Sequence, residues 1–294
     1  MTESDRPVER VDTHSADTID LGESRTATVQ RPRWVPLSAT TIGSVHVRDG
    51  LPLQDAVLTW AEGDQAVIAV ADGHGHRAHF RSDTGAALAV VSAVEEVRRL
   101  LPEVTDAGTA TDVARRAMTA MVTTWTDKVR HHIEAHPFSE AEQALGAAAD
   151  PLRPYGSTVL VVGVAADVMV VAQIGDGDVV LVDSRGEAFR PLPDDPRHDG
   201  VRTSSLCQPD PLDSLHVAAV DTGVAGVTLA FLCTDGFGNS RVDPDWWRQT
   251  GGQLGAFVAT NGIAWVRDQL PGWLEEPARV GGDDTTMALI VRTD

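Results

Sequence analysis

Nine short runs rich in valine, isoleucine and threonine constrain what this chain can become. They are "TIGSVHV", "AVLTWAE", "AVIAVAD", "STVLVVGVA", "VMVVAQIG", "VVLVDS", "SLHVAAV", "VTLAFLC" and the closing "TTMALIVRT". Gly, Pro and Asp punctuate them, so they read as strands. Two helices interrupt the series. "AALAVVSAVEEVRRLL" sets Val90, Val94, Val97 and Leu101 at helical spacing, and Pro102 stops it. A second helix starts near Thr111-Asp112, with Met118, Met121, Val122, Trp125 and Val129 as a stripe that belongs to a core. "DPDWWRQTGGQLGAFVAT" and "GIAWVRDQLPGWL" read as two more helices before the last strand. Strands, two long helices, many strands, two helices and a strand make an α+β chain of largely antiparallel sheets with helices packed outside.

Residues 1–35 are rich in Thr, Ser, Asp, Glu and Arg and have little apolar periodicity, so a disordered tail is expected there, with one domain over 36–294. Residues 184–212, full of Pro, Asp, Arg and Ser, read as a long loop or flap, a length that usually serves function. The charge is strongly acidic: Asp+Glu 43 against Lys+Arg 24, a net of -19. Such a surface repels nucleic-acid phosphates and anionic membranes, so neither is expected as a partner. Cys207 and Cys233 are too few for a disulfide framework and lack zinc-ligand spacing. With no apolar stretch long enough to span a bilayer and no signal peptide at the start, the expected location is cytoplasmic.

The aspartates carry the chemistry. Asp72 follows "AVIAVA", Asp176 follows "VVAQIG", Asp235 follows "LAFLCT", Asp283 and Asp284 precede "TTMALIV", and Asp55 precedes "AVLTWA". A single strand-end aspartate is usually a turn residue. Several at apolar strand ends, most beside glycine, can converge on one point. Carboxylates gathered there repel unless cations sit between them. Hard oxygen ligands favour Mg²⁺ or Mn²⁺ over zinc. Two such ions can activate a bridging water and clamp a phosphoryl group.

These residues resemble the PPM metal-dependent Ser/Thr phosphatases of type 2C, in a bacterial-like subgroup, in order from about Gly43 to Val291. Asp55 in "LPLQDAV" looks like the first-motif aspartate. Asp72-Gly73-His74-Gly75 matches the Asp-Gly-His-Gly signature, Gly156-Ser157-Thr158 a Gly-Ser-Thr strand start, and Gly175-Asp176 the Gly-Asp-Ser motif. Thr234-Asp235-Gly236 matches Thr-Asp-Gly, and Asp283-Asp284-Thr285-Thr286 resembles Asp-Asn-x-Thr. The resemblance implies a four-layer α-β-β-α sandwich of two antiparallel sheets flanked by helices. It implies a phosphoserine/phosphothreonine protein phosphatase that uses metal-bound hydroxide at a binuclear Mg²⁺ or Mn²⁺ centre, with two or three ions. Asp72 would bridge two metals with the Gly73 carbonyl on one, Asp235 and Asp283 would hold the first, Asp55 the second, and Asp176 with Asp235 a third. His74 would be the general acid, kept protonated by the carboxylates around it. A phosphorylated protein substrate and a cognate Ser/Thr kinase are the partners implied.

Three positions depart from the pattern. Gly50 stands where the family often has a phosphate-binding arginine, leaving His46 and Arg48 as nearby candidates. Gly177-Asp178 replaces a Ser-Arg, and His76 replaces a glycine. Three rival readings follow: a weakly active or inactive pseudophosphatase serving as an interaction module, a phosphatase of a small phosphorylated metabolite, and a zinc hydrolase using His74, His76 and His79. The zinc reading needs further histidines at later strand ends, where aspartates stand instead. His76 and His79 are otherwise expected as exposed residues beside the site.

Overall fold

The computed structural model describes residues 33–193, 195 and 203–293. In chain order the elements are β1 (Trp34–Thr41), α1 (Ser44–Asp49), β2 (Ala56–Glu62), β3 (Gln65–Ala71), α2 (Ser82–Leu100), α3 (Ala107–Ala135), α4 (Glu140–Ala144), β4 (Val159–Ala165), β5 (Val168–Ile174), β6 (Asp178–Asp183), β7 (Ala188–Phe189), β8 (His216–Asp221), β9 (Val227–Cys233), α5 (Asp235–Asn239), α6 (Trp246–Asn261), α7 (Ile263–Gly281) and β10 (Thr285–Arg292).

The strands form two five-stranded sheets, ordered β1-β10-β9-β6-β7 and β2-β3-β4-β5-β8, and every pairing is antiparallel. Their period of two explains the layers. In β4, Val159 and Val161 join a core with α2 and α3, while Leu160, Val162 and Val164 face the other sheet. In β10, Ala288 and Ile290 face the inter-sheet core, while Met287, Leu289 and Val291 pack under α6 and α7. Each central strand is buried on both faces, and so it reads as a continuous apolar run. The result is the four-layer α-β-β-α sandwich that the resemblance implied. Of the stripe on α3, Met118, Met121, Trp125 and Val129 are fully buried, and Trp125 Nε1 donates to the Gly85 carbonyl at 3.0 Å.

Several boundaries differ from expectation. "TIGSVHV" is not a strand. Thr41 ends β1, and Ser44–Asp49 is a short helix closed by Gly50 in the left-handed region, φ 69°. β1 begins at Trp34, inside the stretch expected as tail. The rest of that tail, residues 1–32, lies outside the described residues. α3 starts at Ala107, earlier than expected, because Asp106 and Thr109 form a reciprocal capping box. The flap contains the two-residue strand β7, while 194 and 196–202 lie outside the described residues. Among the described residues no helix is long and apolar enough to cross a membrane.

Candidate metal centre

Antiparallel order fixes where the aspartates fall. Ala71 pairs with Ala56, Ile174 with Val159, and Cys233 with both Met287 and Asp178. The ends of β3, β5 and β9 therefore share one edge of the sandwich with the starts of β2, β4, β6 and β10. Asp72, Asp176, Asp235 and Asp283 all emerge at that edge and line one cavity of about 770 Å³, together with Gly73, His74 and His46.

Close backbone approach makes this convergence possible. A Cβ on Gly236 would collide with the Asp284 carbonyl oxygen, and one on Gly43 with the Asp283 backbone. Only glycine lets α5, and Asp235 with it, pack so near the start of β10.

The two adjacent aspartates at 283 and 284 have different fates. Asp284 is buried and accepts from the Gly43 amide at 2.7 Å and the Gln54 amide at 2.6 Å. It pins the segments before β2 and α1 to the cavity rim. Asp283 opens into the cavity, with the Asp284 amide donating to its Oδ1 at 2.9 Å. Asp55 does not line the cavity. It lies beneath it, 7% exposed, and accepts from Thr234 Oγ1 at 2.7 Å.

The electrostatics are those of carboxylates held together against their charge. Burial first, then the neighbours Asp55 and Asp235, push Asp72 well above the usual carboxylate range. Burial likewise raises Asp55, against hydrogen bonds from Thr286 and Thr234 that lower it. Asp235 is pushed up to about 6 by burial and by Asp176. Burial also raises Asp283. A cation between these groups would remove the repulsion.

The donor set suits a hard cation. All its side-chain donors are carboxylate oxygens, and among the described residues no hydrogen-bond donor reaches the Gly73 carbonyl, because the bridge from Gly73 to Ser157 is bonded through Thr158 N to Asp72 O and His74 N to Gly156 O. That carbonyl is free to act as a ligand. Among the described residues no three His, Cys, Asp or Glu side chains stand close enough together to hold a metal ion as they are placed.

The histidines differ from expectation. His74 is not kept protonated. Burial, and then His79 beside it, lower it to about 4. Its ring lies edge-on to His79 at 5.0 Å, an approach that Gly156 permits, since a Cβ there would strike both rings. His79 is half-buried and lines the cavity, where exposure was expected. Its Nδ1 donates to the Arg153 carbonyl at 2.5 Å. His76 is exposed, and its Nδ1 accepts from the Ala78 amide at 3.2 Å. These bonds engage only the Nδ1 atoms; what disfavours the zinc reading is that the later strand ends at the cavity supply Asp176, Asp235 and Asp283, not histidines.

Of the two phosphate candidates, only His46 reaches the cavity. It is buried between two carboxylates, with Nε2 3.4 Å from Asp283 Oδ1 and Nδ1 2.9 Å from Asp284 Oδ2, the latter off the line of a good hydrogen bond. Arg48 is exposed and forks onto Asp49 at 2.7 and 2.8 Å, so it does not face the cavity. Among the described residues no arginine or lysine lines this cavity. Sequence reasoning missed Ser205, Cys207 and Gln208 of the flap, which form part of its wall.

Two stacked antiparallel sheets, helices on both outer faces and a carboxylate cavity at one end define a phosphatase sandwich. The protein phosphatase 2C profile matches residues 42–275. The chain belongs to the protein phosphatase 2C family, and by that membership it is a hydrolase of phosphoric monoesters. Among solved structures it is similar to the catalytic domain of the serine/threonine phosphatase PstP in complex with two manganese ions (16% identity, 89% of this chain and 99% of that one, TM-score 0.55). It is similar also to PstP/Ppp of Mycobacterium tuberculosis (15%, 89% and 99%, 0.56) and to a serine/threonine phosphatase of S. agalactiae (16%, 88% and 100%, 0.55). At these identities the likeness is one of fold. No curated protein sequence matches the chain.

Proposed function

We propose that the protein is a phosphoserine/phosphothreonine protein phosphatase working with Mn²⁺ or Mg²⁺. The observation that carries this reading is the meeting of Asp72, Asp176, Asp235 and Asp283 on one cavity, beside the unengaged carbonyl of Gly73. The manganese described for the PstP catalytic domain supports the choice of ion. When bound, such ions lower the pKa of a water to make a nucleophile and neutralise the phosphoryl charge.

The chain's own residues do the rest. Asp72, the Gly73 carbonyl, Asp235, Asp283 and Asp176 are the residues that would hold the ions. Asp55 supports from below, held in place by Thr234. His46 fixes Asp283 by standing between it and Asp284. His74 faces the same cavity. Since burial keeps its imidazole neutral, it stabilises the leaving alkoxide by donating an N–H hydrogen bond rather than by carrying a resident charge. A phosphorylated protein, paired with a cognate Ser/Thr kinase, is the substrate this reading favours, in a cytoplasmic setting.

The test is p-nitrophenyl phosphate turnover with Mn²⁺. Wild type should exceed Asp235→Ala by about 100-fold or more, a loss in the range of other transition-state charge stabilisers. Equal rates would leave the pseudophosphatase reading.

A further inference from the structure

A second cavity, about 410 Å³, opens beside the first, and Asp176 and Asp235 line both. Its walls hold two arginines. Arg190 is engaged with Asp178 at 2.7 Å. Arg241 is different. Its guanidinium carbon lies over the buried ring of Phe237, 4.4 Å from the centroid, and among the described residues no ion pair is formed with it. The backbone beneath it is fixed, since the Arg241 amide donates to the Gly238 carbonyl at 3.0 Å as the chain leaves α5.

A stacked guanidinium keeps its in-plane N–H groups free for a carboxylate or phosphate. Asp176, Asp178, Asp235 and Asp243 also line this second cavity, and with Arg190 held by Asp178, Arg241 is the exposed cationic group there with no ion pair among the described residues. We infer that Arg241 forms a specificity subsite for a second anionic group on the substrate, near the phosphorylated residue. This rests on the phosphatase reading above.

The reach can be estimated. Arg241 follows Asp235 by six positions, mostly helical, which is about 9 Å at the helical rise. In an extended peptide, at about 3.3 Å per residue, that span is two to three residues. The favoured substrate therefore carries Asp, Glu or a second phosphoserine two or three positions from the phosphoserine removed.

The experiment compares wild type, Arg241→Gln and Arg241→Glu with Mn²⁺. The substrates are phosphopeptides bearing Asp, phosphoserine, Ala or Lys at those positions. Wild type should prefer the acidic peptides over the alanine peptide in kcat/KM by about fivefold, the size of a good solvent-exposed ion pair. Arg241→Gln should flatten the preference, and Arg241→Glu should reverse it toward the lysine peptide, a swap that loss of structure cannot produce. The Asp and phosphoserine arms tell whether carboxylate or phosphate is the better ligand. The same order of preference in all three proteins overturns the inference. Binding of non-hydrolysable phosphonate versions, read by fluorescence anisotropy, keeps the two readings apart. If wild type turns over nothing, the phosphatase reading has failed, and the charge swap in affinity still decides the role of Arg241.

Discussion

Thr234 Oγ1 donates to Asp55 Oδ2 at 2.7 Å across a sequence separation of 179 residues, and the same hydroxyl accepts from the Thr286 amide at 3.0 Å. One side chain thus ties the turn before β2 to the end of β9 and the start of β10, directly under the carboxylates that line the cavity.

Thr234→Val keeps the volume and removes the hydroxyl. It leaves Asp55 and the Thr286 amide each short of a partner in a buried place. The expected outcome is a loss of about 1–3 kcal/mol of folding stability. Mn²⁺ affinity should fall by about tenfold, as for loss of an outer-shell contact. Urea unfolding and a calorimetric Mn²⁺ titration measure the two. Unchanged affinity would remove Asp55 from any supporting role.

The pH dependence follows from Asp235. Its folded value, about 6, lies above that of an unfolded aspartate. The fold therefore favours the uncharged form, and this contribution is fully present below about pH 4 and lost as pH rises through about 6. In protein stripped of ions, Asp235→Asn should match wild type in acid and become the more stable of the two as pH rises through that window. Added Mn²⁺ should raise the wild-type Tm more at pH 7.5 than at pH 5. A gap that stays constant with pH would contradict the burial argument.

Sequence legibility divides along physical lines. The central strands were readable because burial on both faces makes "AVIAVA" and "VTLAFLC" apolar throughout. The carboxylates were readable because each sits where an apolar run stops. The short α1 was not. Six residues cannot show a helical period, and Val45 and Val47 mimic strand alternation. Its one strong signal is Gly50, whose left-handed φ closes the helix. The division of labour between Asp283 and Asp284 was hidden too, because adjacent residues differ only in which way the backbone turns them. Nor could sequence show that His74 is buried at the cavity wall with His79 edge-on to its ring, and this inverted the expectation for its charge.

For His74, Ala substitution should cost more on an alkyl phosphate than on p-nitrophenyl phosphate, by about tenfold, since the poorer leaving group needs the hydrogen bond more. With wild-type His74 held near 4, no inflection attributable to this residue should appear in the rate profile between pH 6 and 8. Equal losses on both substrates would exclude contact with the leaving oxygen.

Arg81 tests the support behind the site. Its guanidinium donates to Glu142 at 2.9 and 3.0 Å, to Tyr155 Oη at 2.8 Å and to the His136 carbonyl at 2.8 Å, and it lies over Phe138 at 4.5 Å. Tyr155 directly precedes Gly156, whose carbonyl receives the His74 amide at 3.1 Å. Arg81→Met removes these bonds, but Glu142 is partly exposed and still accepts from the Ser139 amide and hydroxyl, so the loss in urea unfolding should be about 1–2 kcal/mol. A loss under about 0.5 kcal/mol, typical of surface sites, would mean the network is ornamental.

The central claim is that Asp72, Asp235 and Asp283 trap paired divalent ions in one cavity. Anomalous diffraction from crystals grown with Mn²⁺ tests it most directly. The account predicts two peaks about 3.5–4 Å apart, both beside Asp72, with the Gly73 carbonyl on one of them. A cavity without manganese, or peaks distant from Asp72, would contradict it.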